Sequence, residues 1–224
     1  MRRWILAIGF GYAAWQAWDL SFNSLRLVCQ GPGAFSPPFG PKYALEWPWV
    51  VGHAWSACLL LSLGPLLLAR WQFPLPRGWH ARLGKIYLGC AIVAILTGLP
   101  LSFRAEGGPG ASASFCCLSA VWAWASWHAF WAARQKRWRL HLSWVRFHYA
   151  LAFSAVFLRI GLGIAAHLDW ELEQLAAGLA WLSWQPAMVY GWRKGLFGSA
   201  GSGRVAAESP TAFYQHKLPP EEES

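Results

Sequence analysis

The chain has 224 residues, of which 56% are hydrophobic and 13% are charged. This is about half the charged share of a typical soluble domain. Together with 18 tryptophans, this composition is typical of a protein that crosses a lipid bilayer and places aromatic side chains at both interfaces. The formal net charge of +9 does not indicate nucleic-acid binding, because the basic residues cluster beside apolar runs, as they do in membrane proteins.

Six apolar segments predict transmembrane helices, each near the ~20 residues that a bilayer requires. Pro65 and Pro186 fall inside two of these segments and are expected to kink them. The sequence therefore predicts an all-α, polytopic membrane domain over residues 1–197. In chain order, the predicted spans are roughly residues 4–20, 49–71, 83–103, 113–133, 141–167 and 172–192.

Basic residues flank these spans on one side of the predicted bundle, and most acidic residues lie on the other side. Because cytoplasmic loops carry the excess of Lys and Arg, this bias predicts a cell inner-membrane protein with both termini in the cytoplasm. The basic positions are Arg2, Arg3, Arg70, Arg77, Arg82, Lys85, Arg134, Lys136, Arg137, Arg139, Arg193 and Lys194.

The segments outside the spans contain few signs of regular structure. The external loop 21–48 is rich in Gly and Pro, and it is expected either to cap the bundle or to serve as a passive connector. The tail 198–224 has the composition of a disordered cytoplasmic tether. The first span has no small-x-small cleavage site, which favours a retained anchor over a signal peptide. No CxxC pair occurs among the five cysteines, so neither a disulfide framework nor a zinc site is predicted.

The fifth predicted span carries a polar stripe. At 100° per residue, His148 lies about 20° from His141, and Arg159 returns to the angle of His141. Because charge in hydrocarbon is costly, this stripe is expected to face protein, water or a ligand.

His128 and His148 are predicted at similar depth on sequential antiparallel helices, ~9 Å and ~10 Å from the cytoplasmic face. This spacing suits two axial ligands of a b-type haem, with the Arg134–Arg139 cluster near the propionates. The alternative is that each imidazole hydrogen-bonds a backbone carbonyl or a neighbouring side chain. Haem b is therefore a candidate cofactor. No other metal site is predicted.

Four positions are further candidates for a functional site: His53, His80, His141 and Arg159. His80 and His141 form a shallower cytoplasmic pair that could bind a metal or a headgroup or begin a proton path; the alternative is interfacial capping. Arg159 lies deep in the outer half of the fifth span and requires an anionic or polar partner. It could bind an anion, a quinone carbonyl or a haem propionate, with His53 nearby, or it could clamp backbone carbonyls.

Several motifs follow one another in a fixed order over roughly residues 50–193. They comprise His53, Gly64-Pro65, His80, Leu83, Gly84, Tyr87, His141, Trp144, Tyr149, Phe153, Leu158-Arg159, Trp181, Trp184 and Pro186. This ordered set resembles the bacterial membrane family called domain of unknown function 2306. The resemblance implies a multi-pass fold and singles out His53, His80, His141 and Arg159. It gives no support to His128 or His148. Phe147 stands where the family usually has an arginine, which is one position earlier here, at Arg146.

Three functions fit these observations. The first is a redox protein with the architecture of b-type cytochromes that handles haem or quinone. The second is a non-catalytic accessory or assembly subunit that docks on other membrane subunits through tryptophan-rich faces. The third is a carrier of a small anion or lipid-like substrate, with Arg159 in its site.

Overall fold

The computed structural model describes residues 15, 18–19, 22–34, 44–69, 76, 78–168 and 170–198. Within these ranges all regular secondary structure is helical, which confirms the all-α class. Most of the predicted first span, residues 35–43 of the external loop and all of the tail after residue 198 lie outside the described residues, so their predicted structure stays a prediction.

Seven helices coincide with the five predicted spans that begin at residue 49 or later. Residues 22–30 are also helical. Each of these predicted segments corresponds to one helix or to two consecutive helices. They are α1 (Trp47–Leu68), α2 (Trp79–Ser102), α3 (Gly108–Arg134), α4 (Trp138–Ala152), α5 (Ser154–His167), α6 (Leu172–Ser183) and α7 (Gln185–Arg193).

The last two predicted spans each consist of two consecutive helices. The break between α6 and α7 falls at Trp184, two residues before Pro186. Pro186 therefore lies in the first turn of α7, where its missing N–H is not required. The break between α4 and α5 falls at Phe153, which keeps helical dihedral angles (φ −69°, ψ −12°). The polar stripe of the fifth span therefore runs across a helix interruption.

Pro65 stays inside α1, and a residue from another helix compensates for its missing N–H. In a regular helix the amide of residue 65 would donate to the carbonyl of Leu61. Here the Tyr149 hydroxyl of α4 donates to that carbonyl at 3.2 Å. Gly64 makes this contact sterically possible, because a Cβ at this position would overlap the Tyr149 ring. Gly64, Pro65 and Tyr149 thus form one structural unit that joins α1 to α4.

Among the described residues, three helical stretches are long and apolar enough to cross a membrane: Trp47–Leu68, Trp79–Ser102 and Trp138–Ala165. Large apolar side chains also point outward, among them Ile86, Leu96, Ile164 and Leu182. An outward apolar surface of this kind suits contact with lipid.

Helices α1 to α4 form the central four-helix core. Helix α1 packs on α2 and α4, and α3 packs on the same two helices. Among the described helices, α2 and α4 are not extensively packed on each other, so they lie across a diagonal of the core. Helix α6 packs on α3 and α5, and α7 packs on α4. Buried small residues on α2 and α3 allow close helix approach; they are Ala91, Ala94, Ala125 and Ala129.

Candidate functional site

The centre of the core contains a chain of hydrogen bonds that crosses the diagonal from α2 to α4 and continues to α3. The Tyr87 hydroxyl lies 2.9 Å from Nδ1 of His148. Nε2 of the same imidazole lies 3.0 Å from Oγ of Ser126. The Ser126 hydroxyl lies 2.9 Å from the carbonyl of Trp122.

The donor and the acceptor of each hydrogen bond in this series can be assigned from its last member, the carbonyl of Trp122. A carbonyl can only accept, so the Ser126 hydroxyl donates to Trp122. Ser126 Oγ then accepts from His148, which places the imidazole proton on Nε2. Nδ1 is left as an acceptor for the Tyr87 hydroxyl. A neutral His148 therefore satisfies every group in the chain.

His148 is the most buried of the predicted site histidines, with 2% of its surface exposed. The interpretation of the sequence favoured His141 and Arg159 over it. Its partners Tyr87 and Ser126 were not predicted as site residues. Tyr87 carried a recognisable signal, because it lies seven residues after His80 and thus on the same face of α2. Ser126 carried none, since a serine in an apolar helix commonly bonds its own backbone.

His128 belongs to a different cluster of rings. It stacks on Trp144, with ring centroids 4.6 Å apart and planes at 15°, and it meets Trp124 edge-on. His148 instead contacts Tyr87 and Trp122. The geometry gives no support to His128 and His148 as a pair of haem ligands. Both nitrogens of His148 are hydrogen-bonded, which matches the alternative interpretation of this residue.

His53 lies at the other end of the core, in the first half of α1. Its Nδ1 is 2.9 Å from the carbonyl of Ala94 in α2. Its ring packs against Gly98, where a Cβ would lie 2.9 Å from both Cε1 and Nδ1 of the imidazole. Because a carbonyl only accepts, Nδ1 carries the proton and Nε2 is left with a lone pair.

Arg159 lies on the exposed side of α5. Its Nη1 donates to Oγ of Ser24 at 3.0 Å, which joins α5 to the helical residues 22–30. It is also close enough to His53 to influence this residue electrostatically. Two of the predicted positions, His53 and Arg159, thus influence each other electrostatically.

His141 repeats the arrangement of His53 near the opposite end of the core, which we call the basic end because it carries Arg134, Lys136, Arg137 and Arg139. Its Nδ1 is 2.8 Å from the carbonyl of Ala129 in α3. It also meets the Trp138 ring edge-on. The same donor argument leaves Nε2 of His141 with a lone pair. His80, half-buried, is the second residue of α2 at this same end.

Several other motif residues join helices to one another. Nε1 of Trp184 donates to Oγ of Ser114 at 3.1 Å, and Nε1 of Trp181 donates to the carbonyl of Gly110 at 3.2 Å. These bonds fix the junction of α6 and α7 against α3. Trp181 and Trp184, two motif residues outside the histidine clusters, thus hold α6 and α7 in position relative to α3.

A model of the family described as "Predicted membrane protein (DUF2306)" matches residues 50–192. No curated protein and no solved structure matches the chain. The matched region contains all of the four-helix core from Val50 onward, together with His53, His80, His141 and Arg159. Because the match covers more than half of the chain's residues, the chain belongs to the DUF2306 family of predicted membrane proteins.

Proposed function

We propose that the chain is a six-span inner-membrane redox protein of b-type cytochrome-like architecture, with the basic end and both termini in the cytoplasm. The three apolar helical stretches support the membrane placement. The proposal counts α3 as a further span on its length alone, since its 27 residues reach ~40 Å at 1.5 Å per residue, beyond the ~30 Å of hydrocarbon. The orientation rests on the positive-inside bias of the basic turn 135–137 and its flanks.

The observation that carries the redox proposal is the fixed orientation of His141. Its Nδ1–H donates to a backbone carbonyl of the neighbouring helix, and Nε2 presents a lone pair. Histidines that bind metals usually donate their second ring N–H to a carbonyl or carboxylate in this way, which fixes the tautomer and raises ligand basicity. His53 has the same arrangement.

A neutral imidazole with a free Nε2 lone pair can do two things in a redox protein. It can bind the iron of a haem, or it can accept a hydrogen bond from the hydroxyl of a quinol. Both ligands have a planar ring system and a large apolar part, and both suit a membrane core. Positive charge at the basic end would favour the anionic propionates of a haem.

The test is the visible spectrum of the full chain purified in detergent from cells that are supplied with a haem precursor. We expect a Soret band and a reduced-minus-oxidised difference spectrum of a b-type haem. A matched control is His167→Gln, because His167 is exposed at the far end of α5 and takes no part in either histidine arrangement. Absence of a Soret band, together with absence of co-purified quinone in the lipid extract, would overturn the proposal.

The accessory-subunit function has one specific observation in its favour. Trp127 and Trp131 stack on the exposed face of α3, with ring centroids 5.8 Å apart and planes at 7°. They are 61% and 48% exposed, and such a pair suits either the lipid interface or a partner helix. Full function after simultaneous replacement of His53, His80, His141 and Arg159 would favour this second candidate.

A further inference from the structure

The hydrogen bond between Tyr87 and His148 fixes which faces of α2 and α4 look at each other across the core. The short turns 103–107 and 135–137 join α2 to α3 and α3 to α4. Consecutive helices here run antiparallel, so α2 and α4 run in the same direction, both starting at the basic end. The two side chains meet at 2.9 Å. Any residue on the same face of either helix therefore also points into this diagonal.

His80 and His141 lie on these two faces, at the same level. His80 precedes Tyr87 by seven residues, and His141 precedes His148 by seven residues. Seven residues are about two turns, with a rotation of about 20° and a rise of ~10 Å. Both histidines are therefore displaced from the Tyr87–His148 contact by the same amount toward the basic end. Both are half-buried, whereas their neighbours Ala81 and Arg82 on α2 are exposed.

The lengths of the side chains suggest what could join the two histidines. A phenol and an imidazole span the diagonal at the level of Tyr87 and His148. An imidazole is shorter than a phenol, so two imidazoles on this diagonal would reach less far toward each other. A metal between them, with bonds of about 2 Å to each nitrogen, would bridge the remaining distance.

The part of the chain that the structure describes supplies too few ligands for a bare metal ion. In the described part of the chain no group of three or more His, Cys, Asp and Glu side chains could hold a metal. A structural zinc ion usually takes four ligands from the protein. A haem brings four nitrogens of its own and takes axial ligands from the protein. Two facing imidazoles therefore suit a haem iron better than a free cation.

We propose that His80 and His141 are the two axial ligands of a b-type haem held between α2 and α4 near the basic end. The proposal rests on the redox function proposed above and names its ligand site. The bond from Nδ1 of His141 to the Ala129 carbonyl supplies the ligand orientation. Cations surround this end of the core and would meet the propionates; they are Arg82, Lys85, Arg134, Lys136, Arg137 and Arg139.

The test compares single variants of the full chain, purified in detergent after expression with a haem precursor. We expect His80→Gln and His141→Gln to lower the ratio of low-spin haem to protein by about tenfold or more. His128→Gln and His167→Gln serve as matched controls, because these residues lie outside the diagonal, and they should keep the wild-type ratio. Electron paramagnetic resonance of the oxidised wild type should show low-spin iron with two imidazole ligands.

A second variant separates loss of a ligand from loss of folding. His141→Gly removes the imidazole, and free imidazole in the buffer should restore the low-spin spectrum if the protein is folded. A wild-type Soret band that survives in both Gln variants would overturn the ligand assignment while leaving the redox function intact. Absence of haem from the supplemented wild type would overturn the assignment as well. Quinone in the lipid extract would then still support the redox function.

Discussion

The hydroxyl of Tyr149 bonds the carbonyl of Leu61, the same carbonyl that Pro65 leaves without a helical donor. In the apolar interior a carbonyl without a donor is costly, so a proline in a membrane helix depends on such a substitute. Gly64 admits the Tyr149 ring beside it. The Gly64-Pro65 pair and Tyr149 belong to distant motifs in the sequence, and the structure explains why both occur in one chain.

This relationship predicts a specific non-additivity. Tyr149→Phe should destabilise the protein by about 1–2 kcal/mol, because it leaves the Leu61 carbonyl unsatisfied. In a Pro65→Ala background the helix supplies its own amide donor, so the same substitution should cost clearly less. Thermal unfolding of the four variants in detergent gives the double-mutant cycle. Equal costs in both backgrounds would show that the hydroxyl does not replace the proline's missing donor.

A second prediction concerns Gly64. Gly64→Ala adds a methyl group where the Tyr149 ring lies, and overpacking of this kind costs about 1–3 kcal/mol. Gly89→Ala is the matched control, since a Cβ at Gly89 meets nothing within 4 Å. At position 89 the higher helix propensity of alanine should leave the stability of the protein unchanged or raise it. The melting temperature of each variant in the same detergent checks both. A Gly64→Ala protein as stable as Gly89→Ala would contradict the packing described here.

A third prediction concerns the polar chain in the core. Tyr87→Phe removes the donor to Nδ1 of His148 and leaves a buried acceptor without its partner. We expect a loss of about 1–3 kcal/mol in unfolding free energy, measured by thermal unfolding in detergent. Ser126→Ala should show a similar loss, since it removes the acceptor for Nε2.

The two substitutions act on one imidazole, so their effects should couple. The double variant Tyr87→Phe/Ser126→Ala leaves His148 without either partner, and its cost should differ measurably from the sum of the single costs. Additive costs would indicate that the two bonds do not act as a network. Thr97→Ala is a suitable control, because the Thr97 hydroxyl bonds only carbonyls of its own helix.

The helical class and most helix positions could be predicted from the sequence, because apolar length alone determines where a chain can cross a bilayer. Helix α1, for instance, begins and ends within three residues of its predicted span. The break at Phe153 could not be predicted in this way, since neither Gly nor Pro marks it. The break at Trp184 could be anticipated from Pro186, although the sequence did not show that a new helix begins there.

The candidate site was harder to predict, because depth along a helix does not determine direction around the bundle. His128 and His148 lie at similar predicted depths, yet they face different ring clusters. The bond between Tyr87 and His148 depends on which helices are diagonal, and no single segment contains that information. His141 and His53 were predicted as candidates, but their bonds to the Ala129 and Ala94 carbonyls depend on the packing of neighbouring helices.

The last prediction tests the orientation in the membrane. In a cysteine-free background, Glu106→Cys lies in the turn between α2 and α3, Gln135→Cys in the turn between α3 and α4, and Gly198→Cys after α7. All three side-chain positions are exposed. With the basic end in the cytoplasm, a membrane-impermeant maleimide applied to spheroplasts should label Glu106→Cys alone. Gln135→Cys and Gly198→Cys should react only after the membrane is permeabilised.

Labelling of Gln135→Cys in intact spheroplasts would place the basic turn outside and reverse the proposed topology. Labelling of both Glu106→Cys and Gln135→Cys would show that α3 does not cross the bilayer.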